Sequence, residues 1–172
     1  TITVNVNWDN DASTTEPLAG IGSVYGAGNL APYTGSPTVN IINATTTGSV
    51  FGGGLGESAV VVGNPHVNIG VWKPDSVVVI GGSVFGGGDE AAVEGDPVVV
   101  IRNCGTTVVK DVYGGGNAAP TYSTNLTIWG GQINGNVFGG GNGERGADYA
   151  ANVGYDRNDD ISSTASGNAV TN

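Results

Sequence analysis

One six-residue pattern, in which a variable residue is followed by Val, an aromatic, Gly, Gly or Ala, and Gly, occurs five times in 172 residues. The copies begin at Ser23, Ser49, Ser83, Asp111 and Asn136, and their aromatic residues are Tyr25, Phe51, Phe85, Tyr113 and Phe138. The spacings between successive aromatics are therefore 26, 34, 28 and 25 residues. A motif that returns every 20 to 50 residues is the mark of a repeat architecture, in which each repeat buries its apolar side only by stacking on the next.

A second element accompanies each copy. It is a short alternating strand: Val4-Asn5-Val6, Val39-Asn40-Ile41, Val67-Asn68-Ile69, Val99-Val100-Ile101 and Leu126-Thr127-Ile128. Three of these follow Pro37, Pro65 and Pro97 by two residues, as suits a residue that cannot donate to a ladder and so sits at a strand's start. A weaker third element lies four residues before the motif valine, at Ile80, Val108 and Ile133, with Thr46 and Gly20 as poorer matches.

The last copy lays out the design in order: Leu126–Ile128, Gly130-Gly131, Gln132-Ile133, Asn134-Gly135, Asn136–Phe138, then three glycines. Short strands alternate with glycine corners, where a residue without Cβ permits left-handed backbone and close approach. The expectation is an all-β chain, a parallel β-helix (β-solenoid) of about five short-stranded coils with Gly corners over residues 1–145. Each coil is a triangular turn, and stacking at ~4.8 Å gives a column roughly 25 Å long. Residues 70–76 read as an insertion that lengthens one period. Residues 146–172 read as an irregular cap or inter-repeat loop, and a chain that opens at Thr1 within a strand fits a processed or excised unit.

Composition narrows the alternatives. The 32 glycines follow no strict triplet, which excludes collagen. Runs such as Val77–Ile80 and Val98–Ile101 ask for a packed, pleated surface and argue against a linker. A formal charge of −10 repels phosphates and anionic lipid, so nucleic acid is excluded as a partner. No apolar stretch reaches membrane-spanning length, so direct membrane insertion is not expected. The single cysteine, Cys104, has no internal disulfide partner and reads as a small buried hydrophobe beside a turn.

Candidate sites are sparse. Stacked coils would place Tyr25, Phe51, Phe85, Tyr113 and Phe138 in one ladder. Strict alternation points the valines inward and the rings outward, as a strip for sugar rings; a corner beginning at the aromatic instead brings both residues into the core. Exposure of a long aromatic strip invites aggregation and favours the second arrangement. Carboxylates at Asp89, Glu90 and Glu144 follow glycine triplets and are the candidate ligands for calcium, the one cofactor considered, although the spacing departs from calcium-binding nonapeptides. Asn43 and Asn125 lie in N-glycosylation acceptors, and Ser76 in an Asp-Ser-apolar O-glycosylation pattern. His66 lacks a second His or a nearby Cys, and Lys110-Asp111 and Asp96 with Arg102 are not distinguished from a solvated face. No catalytic residue is assigned and no enzyme activity is expected.

The motif Val-(Phe/Tyr)-Gly-Gly-Gly-Asn, literal at 112–117 and 137–142, resembles repeats of large secreted, glycine-rich surface proteins of Gram-negative gut bacteria. The resemblance covers about residues 1–145 and implies a secreted, cell-surface, adhesin-like β-solenoid. Expected partners are further copies of the chain, stacked end to end as a fibre or surface layer, and cell-surface glycans. The alternative is a glycan-binding or glycan-cleaving β-helix with an exposed aromatic or acidic face.

Overall fold

A computed structural model describes residues 1–7, 20–46, 48–70, 76–143 and 153. Within them there are sixteen strands and no helix, and every strand pair is parallel. The chain winds as a β-solenoid whose five stacked rungs make about four full turns.

The proline face carries Thr3–Asn7, the first half of Thr38–Thr46, His66–Ile69, Val98–Ile101 and Asn125–Ile128. Its register is the one the Val-x-Ile pattern requires: Val4, Val39, Val67, Val99 and Leu126 stack, as do Val6, Ile41, Ile69, Ile101 and Ile128. The carbonyls of Pro37, Pro65 and Pro97 each accept from the first amide of the following rung's strand, so the prolines start the ladder without needing a donor. The middle face carries the end of Thr38–Thr46, then Val78–Ile80, Thr106–Val108 and Gln132–Ile133. Thr46, Ile80, Val108 and Ile133 align as the spacing suggests. In the first rung the match is Ile21 rather than Gly20, because Ile21 bridges to Thr46. The corner between the middle face and the motif valine is one residue shorter there, three positions from Ile21 to Val24 against four from Ile80 to Val84, and the apolar residue takes the inward position.

The aromatic face carries Val24–Tyr25, Val50–Phe51, Val84–Phe85, Val112–Tyr113 and Val137–Phe138. A fourth side completes each coil, so the cross-section is not the expected triangle. After the glycines, Asn29, Leu55, Asp89, Asn117 and Asn142 form a column of single bridges. Tyr33–Thr34, Val61–Val62 and Val93–Glu94 then form a return face, continued by bridges through Thr121 and Val153. Apart from Val153, the expected cap or loop at 146–172 lies outside the described residues.

Inward side chains from the faces interleave into one aliphatic core, with Val39, Ile41, Val67, Ile69, Val99 and Ile101 all inaccessible to water. Each such side chain contributes about 1.5–3 kcal/mol by leaving water. The glycine after each aromatic is demanded by the stacking: a Cβ on Gly52 would strike the carbonyl oxygen of Gly86 and the side chains of Pro65 and Val67. Gly26, Gly86 and Gly114 meet the equivalent carbonyl one rung on.

Candidate functional site

The aromatic column is the most regular feature of the solenoid. Tyr25, Phe51, Phe85 and Tyr113 stack with ring centroids 4.8 Å apart and planes within 2°, and Phe138 follows at 5.0 Å and 14°. The separation is the rung spacing itself, within the range where offset aromatic pairs attract. The neighbouring valines enter the aliphatic core, whereas the rings form a cluster of their own. Alternation therefore holds, yet Phe51, Phe85 and Tyr113 are buried. The rings neither join the main core nor form an open strip. Each interior ring has a neighbouring ring on both faces, so no flat face is left for a sugar. Phe138, at 42% exposure, is the ring with an open side.

Oxygen-bearing side chains run beside the rings. Ser23 Oγ accepts the Ser49 amide (3.1 Å), Ser49 Oγ the Ser83 amide (3.0 Å), Ser83 Oγ the Asp111 amide (3.3 Å), and Asp111 Oδ1 the Asn136 amide (2.7 Å). Two further ladders share one polarity, the later rung donating to the earlier. Asn40 Nδ2 donates to Asn5 Oδ1 (2.8 Å) and Asn68 Nδ2 to Asn40 Oδ1 (2.9 Å) on the proline face. In the column after the glycines, Asn117 Nδ2 donates to Asp89 Oδ1 (2.8 Å) and Asn142 Nδ2 to Asn117 Oδ1 (2.7 Å). At the turn into the proline face, Ser36 Oγ accepts the Asn64 amide and Asn64 Oδ1 the Asp96 amide, at 3.0 and 2.9 Å.

Two tyrosines tie the ring column to these ladders: Tyr25 Oη donates to Asp89 Oδ2 and Tyr113 Oη to Asp111 Oδ2, both at 3.2 Å. Burial raises the Tyr25 hydroxyl above its ordinary pKa, and the Asp89 carboxylate adds to the shift. Tyr113 is raised by the same two causes, burial first and then Asp111. The Asp111 carboxyl is held below its usual range, chiefly by the Asn136 amide and further by Tyr113, Asn136's side chain and Lys110.

The remaining sequence candidates are dispersed. Both carboxylate oxygens of Asp89 are engaged within the protein. Glu90 is exposed on a left-handed turn at φ 55°, and Glu144 lies outside the described residues. Among the described residues no group of three or more His, Cys, Asp or Glu side chains is placed to hold a metal ion. Asn125 is exposed, whereas Asn43 is half-buried with its Oδ1 accepting the Val77 amide. Ser76 is buried and its Oγ accepts from Asn103 Nδ2 at 2.7 Å, which withholds this hydroxyl from a modifying enzyme. His66 is exposed on the proline face. Cys104 is exposed on the turn between the proline and middle faces, not buried, because that turn projects away from the core.

Sequence reasoning missed the serine–aspartate ladder. Its signal was available, since every residue before a motif valine carries a side-chain oxygen. Comparison with known proteins returned no match among family models, curated proteins or solved structures.

Proposed function

We propose that this chain is an extracellular structural or adhesive solenoid, a subunit of a fibre or surface layer that stacks end to end at the cell surface. One observation supports the reading above others: the aromatic column continues through all five rungs at a near-constant 4.8 to 5.0 Å. The amide and hydroxyl ladders bind rung to rung along the same axis. A chain built this way places its most regular chemistry along the direction of growth, as suits a load-bearing rod. Electron microscopy of the full chain tests the reading. Filaments one solenoid wide support it; dispersed particles at high concentration sink it.

A glycan-binding role has one observation in its favour. Trp129, 70% exposed, and Phe138 both lie on the fifth rung and present open aromatic surface. A glycan array probed with the wild type and with Trp129→Ala separates this reading, which requires a signal that the substitution removes.

A further inference from the structure

The outer surface of the return face is apolar along the solenoid axis. Side chains alternate along its strands, so Tyr33, Val61, Val93 and Thr121 face the interior and their neighbours face out. One outward column runs through Pro32, Val60, Ala92 and Pro120, whose carbonyls past the first accept the inward residue's amide from the rung before. The other runs through Thr34, Val62, Glu94 and Tyr122. Ala92 has the shortest side chain of its column and sets a dip between Val60 and Pro120, with Glu94 beside it on the same rung. At the border Leu30 lies over Gly56; Leu30 and Val62 are 65 and 43% exposed.

Charge is segregated onto the same side of the coil. Among the described residues Glu57, Asp89, Glu90, Glu94 and Asp96 lie on this face or in the turns leading into and out of it, and Asp111 is the sole carboxylate elsewhere. The described Lys and Arg side chains, Lys110 and Arg102, flank the middle face, across the core from it. Size and charge together select an occupant. A stable protein interface buries about 800 Å² on each partner, and a patch with two large exposed side chains, Leu30 and Val62, falls well short of that. A second copy of a chain with formal charge −10 would also set Glu94 and its neighbours against like charge. What fits is a small ligand, flat enough to lie on two straight columns and positively charged. Three rung spacings, from Pro32 to Pro120, give it a bed ~14 Å long.

We propose that the outer return face binds an elongated, planar aromatic cation, laid along the solenoid axis over Val60, Val62 and Ala92 with its positive charge against the Glu94 carboxylate. Burial of apolar ring surface supplies the attraction, and the carboxylate fixes the ligand's position along the columns. The columns lie on the flank of the solenoid within one chain, so the site is the same in a monomer and in a filament. It goes beyond the fibre reading and does not rest on it.

Thioflavin T, a rigid benzothiazolium cation of comparable length, is the probe. Equilibrium dialysis against the full chain should give saturable binding of one dye per chain. Glu94→Gln removes one charge pair and should weaken binding about fivefold, the worth of two unit charges ~4 Å apart in water. The uncharged, demethylated analogue of the dye should bind the wild type and Glu94→Gln alike. Val62→Lys takes away apolar surface and places a cation in the ligand's bed, so thioflavin T should bind about tenfold more weakly or worse. Val100→Lys adds the same charge on the proline face, beyond the screening length, and should leave the affinity within about twofold. All three side chains point out of the coil, and circular dichroism checks that each variant keeps the fold.

Equal losses from Val62→Lys and Val100→Lys would reduce the binding to the chain's overall negative charge and overturn the proposal. Unchanged affinity in Val62→Lys would place the dye on another face and overturn it too. So would the absence of saturable binding by the wild type up to about 1 mM dye. None of these outcomes bears on whether the chain forms filaments, which microscopy reads separately.

Discussion

Asp111 holds the fifth rung to the fourth: its Oδ1 accepts the Asn136 amide at 2.7 Å while its Oδ2 accepts the Tyr113 hydroxyl at 3.2 Å. The equivalent position in the three earlier rungs is serine, whose Oγ accepts one amide from the rung above. Aspartate keeps that bond and adds a second acceptor for the only buried ring in the column that carries a hydroxyl. In the fourth rung one carboxylate therefore serves both the next rung's amide and the ring hydroxyl, whereas in the first rung Ser23 takes the amide and Asp89 takes the Tyr25 hydroxyl.

Acid should weaken this link. The Asp111 carboxyl is depressed in the folded state, so its contribution is present above the ordinary carboxylate value of 3.8 and is lost as pH falls through the lower folded value. Asp111→Asn retains an acceptor for the Asn136 amide but has no charge to titrate. Thermal unfolding followed by circular dichroism from neutral pH downward should fall less steeply below about pH 4 in this variant than in the wild type. Parallel slopes would remove Asp111 from the acid response.

Alkali acts on the other partners. Tyr25 and Tyr113 are raised above the ordinary value of 10.0, so the folded state retains protons that the unfolded chain gives up. Their contribution is complete below that value and is lost as pH rises through the folded one. Replacing both with Phe keeps the ring stack and removes the ionisation, so the alkaline unfolding midpoint should move to higher pH. An unchanged midpoint would assign alkaline unfolding to the chain's accumulating negative charge.

How much of this was legible depends on which positions carry a repeated residue type. The proline-face register follows directly from Val-x-Ile, since a side chain alternating every second residue fixes which residues stack. The aromatic column follows from the motif itself. The return face did not show, because its inward positions are Tyr33, Val61, Val93, Thr121 and Val153, one of them aromatic and one hydroxylic, with a variable gap from the preceding glycines. Burial of the rings was legible only in part. Alternation placed them opposite the valines, but the way the chain folds back after the glycines, bringing Asp89 against Tyr25, depends on contacts 64 residues apart.

That hidden face contains a correctable defect. Thr121 is fully buried, bridges Val93 and Val153, and its Oγ1 is a buried polar atom without a hydrogen-bond partner. A buried hydroxyl left unpaired costs about 1–3 kcal/mol, and Val replaces it with a methyl of similar volume. Thr121→Val should raise the free energy of unfolding by about 1–2 kcal/mol in urea titration. Destabilisation instead would mean that the hydroxyl has a partner, such as a trapped water, that the apolar surroundings conceal.

The glycine after each aromatic offers a comparison within one column. At Gly52 an added Cβ meets the Gly86 carbonyl from one side and Pro65 Cβ at 2.9 Å from another, and neither backbone nor ring can move without shifting a rung. Gly52→Ala should cost about 3 kcal/mol or more, at the upper end of overpacked cores. At Gly139 the same methyl meets nothing within 4 Å. There Ala restricts the unfolded chain, so Gly139→Ala should be neutral or stabilising by up to about 1 kcal/mol. Chemical denaturation at concentrations below assembly measures both. Because the two substitutions are identical and the columns continuous, the difference between them reports a single variable, whether another rung lies above. Equal destabilisation at both positions would mean that Gly139 is already covered in the monomer.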